Sequence, residues 1–156
     1  MTLAIEIATT PDQYTAGHAL FSDYARYLGL DLEFQGFSEE LTRLPQMYGH
    51  PRGCLLLARK GEVYIGAVGL RQFAPGIAEM KRLFVQTEHQ GVGAGRQLLE
   101  AFIAQAKTLG YASIRLDTIP ELDKALKLYE AYGFIRIPPY RHNPYPNAVF
   151  MERNIE

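Results

Sequence analysis

The chain has 156 residues, 47% hydrophobic and 21% charged, a composition that suits one globular domain (residues 1–156) with a core large enough to need no staples. Sixteen basic against seventeen acidic side chains leave a formal charge of -1, which with no basic cluster outside the glycine turn described below argues against a nucleic-acid partner. The single cysteine rules out an internal disulfide, and no run approaches the roughly 18 apolar residues of a membrane span, so no membrane partner is expected.

Met1 to Glu6 is acidic early and lacks a basic region followed by a long apolar segment, so it does not read as a signal peptide, and the expected location is cytoplasmic. Leu3 to Ala8 alternates in the manner of a half-buried strand. Thr10-Pro11-Asp12 opens a helix, with threonine as the cap and proline in the first turn. Tyr14, His18, Phe21, Ala25 and Leu28 follow at helical spacing as its buried face, and Gly29 ends it. Ser38-Glu39-Glu40-Leu41 starts a second short helix that stops at Pro45.

Cys54 to Ala58 and Val63 to Leu70 flank Arg59-Lys60-Gly61-Glu62 and form an antiparallel hairpin, in which Gly66 and Gly69 mark a bulge or a close backbone approach. Cys54 reads as a buried thiol rather than a nucleophile. Ala78 to Val85 is the next strand. A helix with Leu98, Leu99, Phe102, Ile103, Ala106 and Leu109 on one stripe runs to Gly110. Ser113 to Asp117 is a strand, and Pro120-Glu121 opens a helix that presents Leu122, Ala125, Leu126, Tyr129 and Tyr132 on one face. Phe134 to Ile137 and Ala148 to Glu152 are the last strands, separated by a turn-rich loop, Pro138 to Asn147. Hairpins first and strands alternating with helices later imply a mixed α/β sheet.

Between the strand ending at Val85 and the helix of Leu98 lies Gln90-Gly91-Val92-Gly93-Ala94-Gly95-Arg96. The first turn of a helix carries unpaired N–H groups and the positive end of the dipole, and glycine lets a phosphate approach the backbone. Arg96 adds a formal charge. A Walker loop needs a lysine followed by serine or threonine, but Gly95 is followed by Arg96-Gln97. A dinucleotide fingerprint needs a different glycine spacing directly after a first strand, although Asp117 at the end of a later strand keeps that reading open. The third pattern, Q/R-x-x-G-x-G/A, is matched by Gln90, Gly93 and Gly95.

With the strand Glu79-Met80-Lys81-Arg82-Leu83-Phe84-Val85 before it and Ala125 to Phe134, ending Tyr-x-x-x-Gly-Phe, after it, this pattern resembles the GNAT superfamily of acyl-CoA-dependent N-acyltransferases. The resemblance runs from about Gly53 to Arg153; the first fifty residues match in order of elements only. It implies a mixed, mostly antiparallel α/β (α+β) sheet of about seven strands with about four helices, and acetyl-CoA as co-substrate. It implies that backbone groups of Gln90, Gly91, Val92, Gly93, Ala94, Gly95 and Arg96 hold the pyrophosphate. Leu83, Phe84 and Val85 would pair with the pantetheine arm where the central strand splays from its neighbour. A primary amine of a small molecule or peptide would attack the thioester directly.

Tyr129 takes the place of the family's tyrosine acid, though its position on an apolar stripe equally suits a core tyrosine. Glu79 matches an acidic residue that relieves the amine of its proton, often through water, and equally suits a salt bridge. Many members carry an asparagine where this chain has Leu122, so that cofactor contact is lost; Asp123 beside it is no obvious replacement. The resemblance also allows a homodimer, or a non-catalytic acyl-CoA sensor of the same fold. His18 reads as a core histidine, His50 and His89 as solvated, and His142 as part of a loop roofing the acceptor. Asp117-Thr118 binds the acceptor or caps the next helix. Tyr24, Tyr27, Phe34, Tyr140 and Tyr145 are candidate walls of the acceptor pocket. No cluster has metal-ligand spacing, so no metal is expected.

Overall fold

The continuous apolar run Cys54–Ala58 has no polar face because both of its faces are buried. In the computed structural model, which describes residues 2–29, 31–33 and 36–156, Cys54, Leu56 and Ala58 join one core, and Leu55 and Leu57 join another on the opposite face. The elements are β1 (Leu3–Ile7), α1 (Pro11–Leu28), α2 (Phe37–Thr42), α3 (Leu44–Met47), β2 (Cys54–Lys60), β3 (Val63–Ala74), β4 (Ile77–Val85), α4 (Ala94–Thr108), β5 (Ser113–Thr118), α5 (Asp123–Ala131), β6 (Ile135–Ile137) and β7 (Val149–Asn154). The strands form one sheet in the order β1-β2-β3-β4-β5-β7-β6. Every neighbouring pair is antiparallel except β4–β5. Leu98, Leu99 and Phe102 of α4 and Leu126 and Tyr129 of α5 fill the first core; Leu20 and Phe21 of α1, with Phe37, Leu44 and Tyr48, fill the second.

The mixed, mostly antiparallel sheet is the one expected, and the helices are five among the described residues rather than about four. The extra one arises at Pro45, which does not stop a helix but sits in the first turn of α3, where its missing N–H has no intrahelical role. Thr10 does cap α1: its hydroxyl accepts from Gln13 N at 3.2 Å while Gln13 Oε1 accepts from Thr10 N at 3.0 Å. His18 departs from expectation. It is exposed, because α1 turns Gly17, Leu20 and Phe21 inward and so rotates the buried stripe away from it. A Cβ on Gly69 would come within 2.6 Å of the Tyr48 ring, so this glycine marks a close approach, and the register shifts between Ala67 and Gly69 add a bulge beside it.

Two irregularities in β4 shape the site. It pairs with β5 only from Ile77 to Glu79, so the edge from Met80 to Val85 on that side has no strand beside it. Opposite, on β3, Lys81 faces Gly69 and Phe84 faces Ala67, which leaves Arg82 and Leu83 against Val68 alone. Arg82 takes φ 63°, a left-handed conformation that costs a non-glycine residue free energy. Its buried guanidinium is held by Glu40 of α2, with Nη2–Oε1 at 3.0 Å and Nε–Oε2 at 3.3 Å. Tyr48 donates to the same carboxylate at 3.0 Å, and Phe37 lies 5.1 Å beneath the guanidinium.

Candidate active site

Gly91 and Gly93 adopt φ 89° and 87°, values that L side chains rarely reach, and Gly93 is the N-cap of α4. No side chain caps this end, so the first-turn N–H groups have no side-chain acceptor. Gln90 Nε2 donates to the Val85 carbonyl at 3.0 Å and ties the turn to the end of β4. Leu83–Val85, Gln90, Gly91 and Gly93–Arg96 together form one wall of an open groove of about 1220 Å³, counting the solvent it opens to. The other wall is the start of α5, Glu121 to Ala125, with Leu128. Val92 is exposed and stands outside the groove. Leu122 is the N-cap of α5 and lies on the groove wall.

Beyond the groove, and sharing Tyr24 and Leu122 with it, lies a second, narrower cavity of about 430 Å³, counting the solvent it opens to. Lys81 and Arg82 of β4, Asp117 and Thr118 of β5, and Asn143 and Tyr145 of the loop before β7 line it, with an apolar side from Leu28, Leu32, Met80 and Ile119. Asn143 Nδ2 donates to Asp117 at 3.2 Å, and the Tyr145 hydroxyl donates to the Asp31 carbonyl. The loop thus roofs the cavity, while His142 within it is exposed. Asp117 does not cap α5, which begins with Leu122 as its cap and no side-chain bond. Of the tyrosines expected here, Tyr24 and Tyr145 line the cavity, Tyr27 lines the groove and packs on Phe84 at 5.5 Å, and Tyr140 sits beside the site. Phe34 lies outside the described residues.

Glu79 lies under this roof and lines neither cavity; it is fully buried. It accepts from Arg71 Nε at 3.0 Å, from Arg141 Nη2 at 2.7 Å and from the Tyr140 hydroxyl at 3.0 Å. Burial alone would raise its pKa, but the charges of Lys81, Arg141 and Arg71 outweigh it and hold the carboxyl below its ordinary value. Lys81 runs the other way, since burial, aided by Arg82, pushes its ammonium down to about 8.

Tyr129 is buried in α5 with its ring 5.9 Å from Phe134. Its hydroxyl has no hydrogen-bond partner among the described residues, yet it is not sealed off. The one fully enclosed side-chain polar atom there without a partner is Arg141 Nε. Burial pushes the Tyr129 hydroxyl well above the ordinary tyrosine value, and Tyr24, which lines both cavities, pushes the same way. Cys54 is buried, and its thiol is raised to about 11. Among the described residues no group of three or more His, Cys, Asp and Glu is placed to hold a metal ion, and no helix is long and apolar enough to cross a membrane.

Sequence reasoning did not single out Lys81, the Glu40–Arg82 pair or the Asn143–Asp117 bond. One signal was available: two adjacent cations, Lys81-Arg82, follow Glu79 in a central strand whose other residues are apolar.

The central sheet splits beside a glycine turn, and a roofed polar cavity adjoins the groove so formed. The sequence profile described as the Acetyltransferase (GNAT) family matches residues 17–134. The chain is 37% identical over 151 residues to an uncharacterized N-acetyltransferase of Schizosaccharomyces pombe, covering 96% of this chain and 93% of that one. Its fold is similar to a GNAT-family acetyltransferase of Staphylococcus aureus Mu50, with TM-score 0.80, 21% identity, and 98% and 100% of the two chains covered. It is also similar to yncA of Salmonella typhimurium, a structure with acetyl-CoA, at TM-score 0.70 and 16% identity over 100% and 95% of the chains. The chain belongs to the GNAT acetyltransferase family and is an acetyl-CoA-dependent N-acyltransferase.

Proposed function

We propose that the chain transfers an acetyl group from acetyl-CoA to a primary amine of a small molecule or peptide by direct attack. The observation that carries this reading is the unpaired edge of β4 from Met80 to Val85, running straight to the uncapped N-terminus of α4. An extended pantetheine arm adds to that edge as a strand would, with an N–H of Leu83, Phe84 or Val85 polarising the thioester carbonyl. The pyrophosphate rests on the backbone from Gln90 to Arg96, where dipole and N–H groups both favour an anion. The amine lone pair forms the new C–N bond, the C–S bond breaks, and the leaving thiolate takes a proton from Tyr129. Water carries the proton lost by nitrogen away and restores the tyrosine.

Saturating acetyl-CoA is expected to stabilise the fold, by about 2.7 kcal/mol at a hundredfold excess over Kd. For a chain of this size that raises Tm by about 5–11 °C. No shift in a thermal melt would remove the donor reading, and a shift without thiol release across an amine panel would favour a sensor.

For Glu79 the geometry supports a positioning role over proton abstraction. Its oxygens are occupied by Arg71, Arg141 and Tyr140, and a carboxyl with a lowered pKa is a weak base. Through Tyr140 and Arg141 it holds the loop that carries Asn143 and Tyr145 over the cavity. Glu79→Gln is expected to raise the acceptor KM about tenfold or more while the acid limb of the kcat profile stays in place. Loss of that limb would restore Glu79 as the base.

A further inference from the structure

An amine held in the roofed cavity has to meet a thioester lying in the groove, so its nitrogen passes the residues common to both. Among the described residues these are Tyr24 of α1 and Leu122, the cap of α5. Leu122 is apolar, which makes the Tyr24 hydroxyl the one polar side-chain group at the junction. The Tyr24 ring is fixed edge-on against Phe84 of β4, with ring centroids 5.9 Å apart, beside the backbone that borders the groove. Its hydroxyl has no hydrogen-bond partner among the described residues and is not fully enclosed. A buried-side hydroxyl left without a protein partner is free to bond a ligand. Tyr24 also acts on the Tyr129 hydroxyl, the proposed acid for the thiol.

From this placement we infer that Tyr24 is a catalytic residue: its oxygen accepts a hydrogen bond from the N–H of the attacking amine and turns the nitrogen lone pair toward the thioester carbon. This rests on the acyl-transfer reading above. An attacking amine needs its lone pair free, so the group that orients it must accept from the N–H rather than donate to nitrogen. A phenol oxygen does this while keeping its own proton. Burial, with Asp117 and Glu40, pushes the Tyr24 hydroxyl up to about 12 against the pull of Arg82. It therefore stays a neutral phenol near neutral pH and serves as an acceptor, not as a base. As the C–N bond forms, positive charge develops on nitrogen and its N–H becomes a stronger donor. The contact thus tightens toward the transition state and favours it over the bound amine. The proton then leaves nitrogen for water, while Tyr129 serves the sulfur.

The test is Tyr24→Phe, which removes the oxygen and keeps the ring on Phe84. Thiol release from acetyl-CoA is followed across an amine panel that includes phenethylamine, glycinamide and spermidine, beside acetyl-CoA binding by calorimetry and a thermal melt. The variant is expected to lose about tenfold or more in both kcat and kcat/KM for the amine, the fold-change for removing a hydrogen bond to a group that becomes charged. The Kd for acetyl-CoA and the Tm are expected to hold. Turnover equal to that of the unaltered protein overturns the inference and leaves the acyl-transfer reading standing. A loss confined to the amine KM also overturns it, because that is the mark of binding felt equally in ground and transition states. So does a loss accompanied by a weaker Kd or a lower Tm, which makes Tyr24 a cofactor-binding or packing residue. No thiol release by the unaltered protein with any amine of the panel overturns the inference together with the direct-attack reading.

Discussion

Tyr129→Phe is expected to lower kcat about a hundredfold or more, within the range general acids contribute, while the Kd for acetyl-CoA changes by less than about twofold. The substitution removes one oxygen and leaves the ring against Phe134, so packing is preserved. That oxygen has no hydrogen-bond partner among the described residues and is not fully enclosed, so it can reach a group in the groove rather than serve a packing contact. Burial holds the proton on it, so the group enters each turnover as a donor. In the proposed reaction it gives that proton to the departing thiolate as the C–S bond breaks. The check is thiol release under saturating acetyl-CoA and amine, beside cofactor binding by calorimetry. Unaltered turnover would return Tyr129 to the core.

Glu40→Ala is expected to destabilise the protein by about 3–5 kcal/mol, the cost of stranding a buried charge. Arg82 is 7% exposed and Glu40 2%, so solvent does little to screen the pair or to rescue the arginine left behind. The Tyr48 hydroxyl loses its acceptor as well. Against a total stability of about 5–15 kcal/mol this is a large fraction, and Tm should fall by about 6–20 °C. Replacing both partners, Glu40→Met with Arg82→Met, is expected to cost less than Glu40→Ala alone, because no buried charge is then left unpaired. Urea denaturation of the single and double variants measures both. A loss below about 1 kcal/mol for Glu40→Ala would mean that the pair behaves as an exposed one.

The pair also bears on function. Arg82 occupies a left-handed conformation within β4, and the bulge it makes against Val68 accompanies the point where β4 loses β5. Glu40, Tyr48 and Phe37 hold that residue from the α2 side. Strain at the mouth of the groove is thus offset by an ion pair in the second core.

Much of this was legible beforehand where one local rule governs one segment. Thr10 and Gln13 cap a helix through contacts three residues apart, and Gly91 and Gly93 take the backbone angles their type favours. Leu98, Leu99 and Phe102 reveal their buried face by spacing. His18 and Pro45 were misread because helical phase and helix breaks in short elements depend on what packs beside them. The cavity was not legible at all: Glu40 and Arg82 are 42 residues apart, Arg141 and Glu79 are 62 apart, and Asn143 and Asp117 are 26 apart.

By itself the sequence determined the order of the elements, the mixed sheet, the glycine turn and the family to which these belong, because periodicity, capping and turn chemistry act over a few residues. Tertiary structure alone decided that β4 leaves β5 after Glu79, that Glu79 is locked by two arginines, and that Lys81 and Asp117 stand on one cavity wall. The reason is physical. Register, desolvation and charge balance are properties of groups brought together by folding, and their energies depend on neighbours that lie far away along the chain.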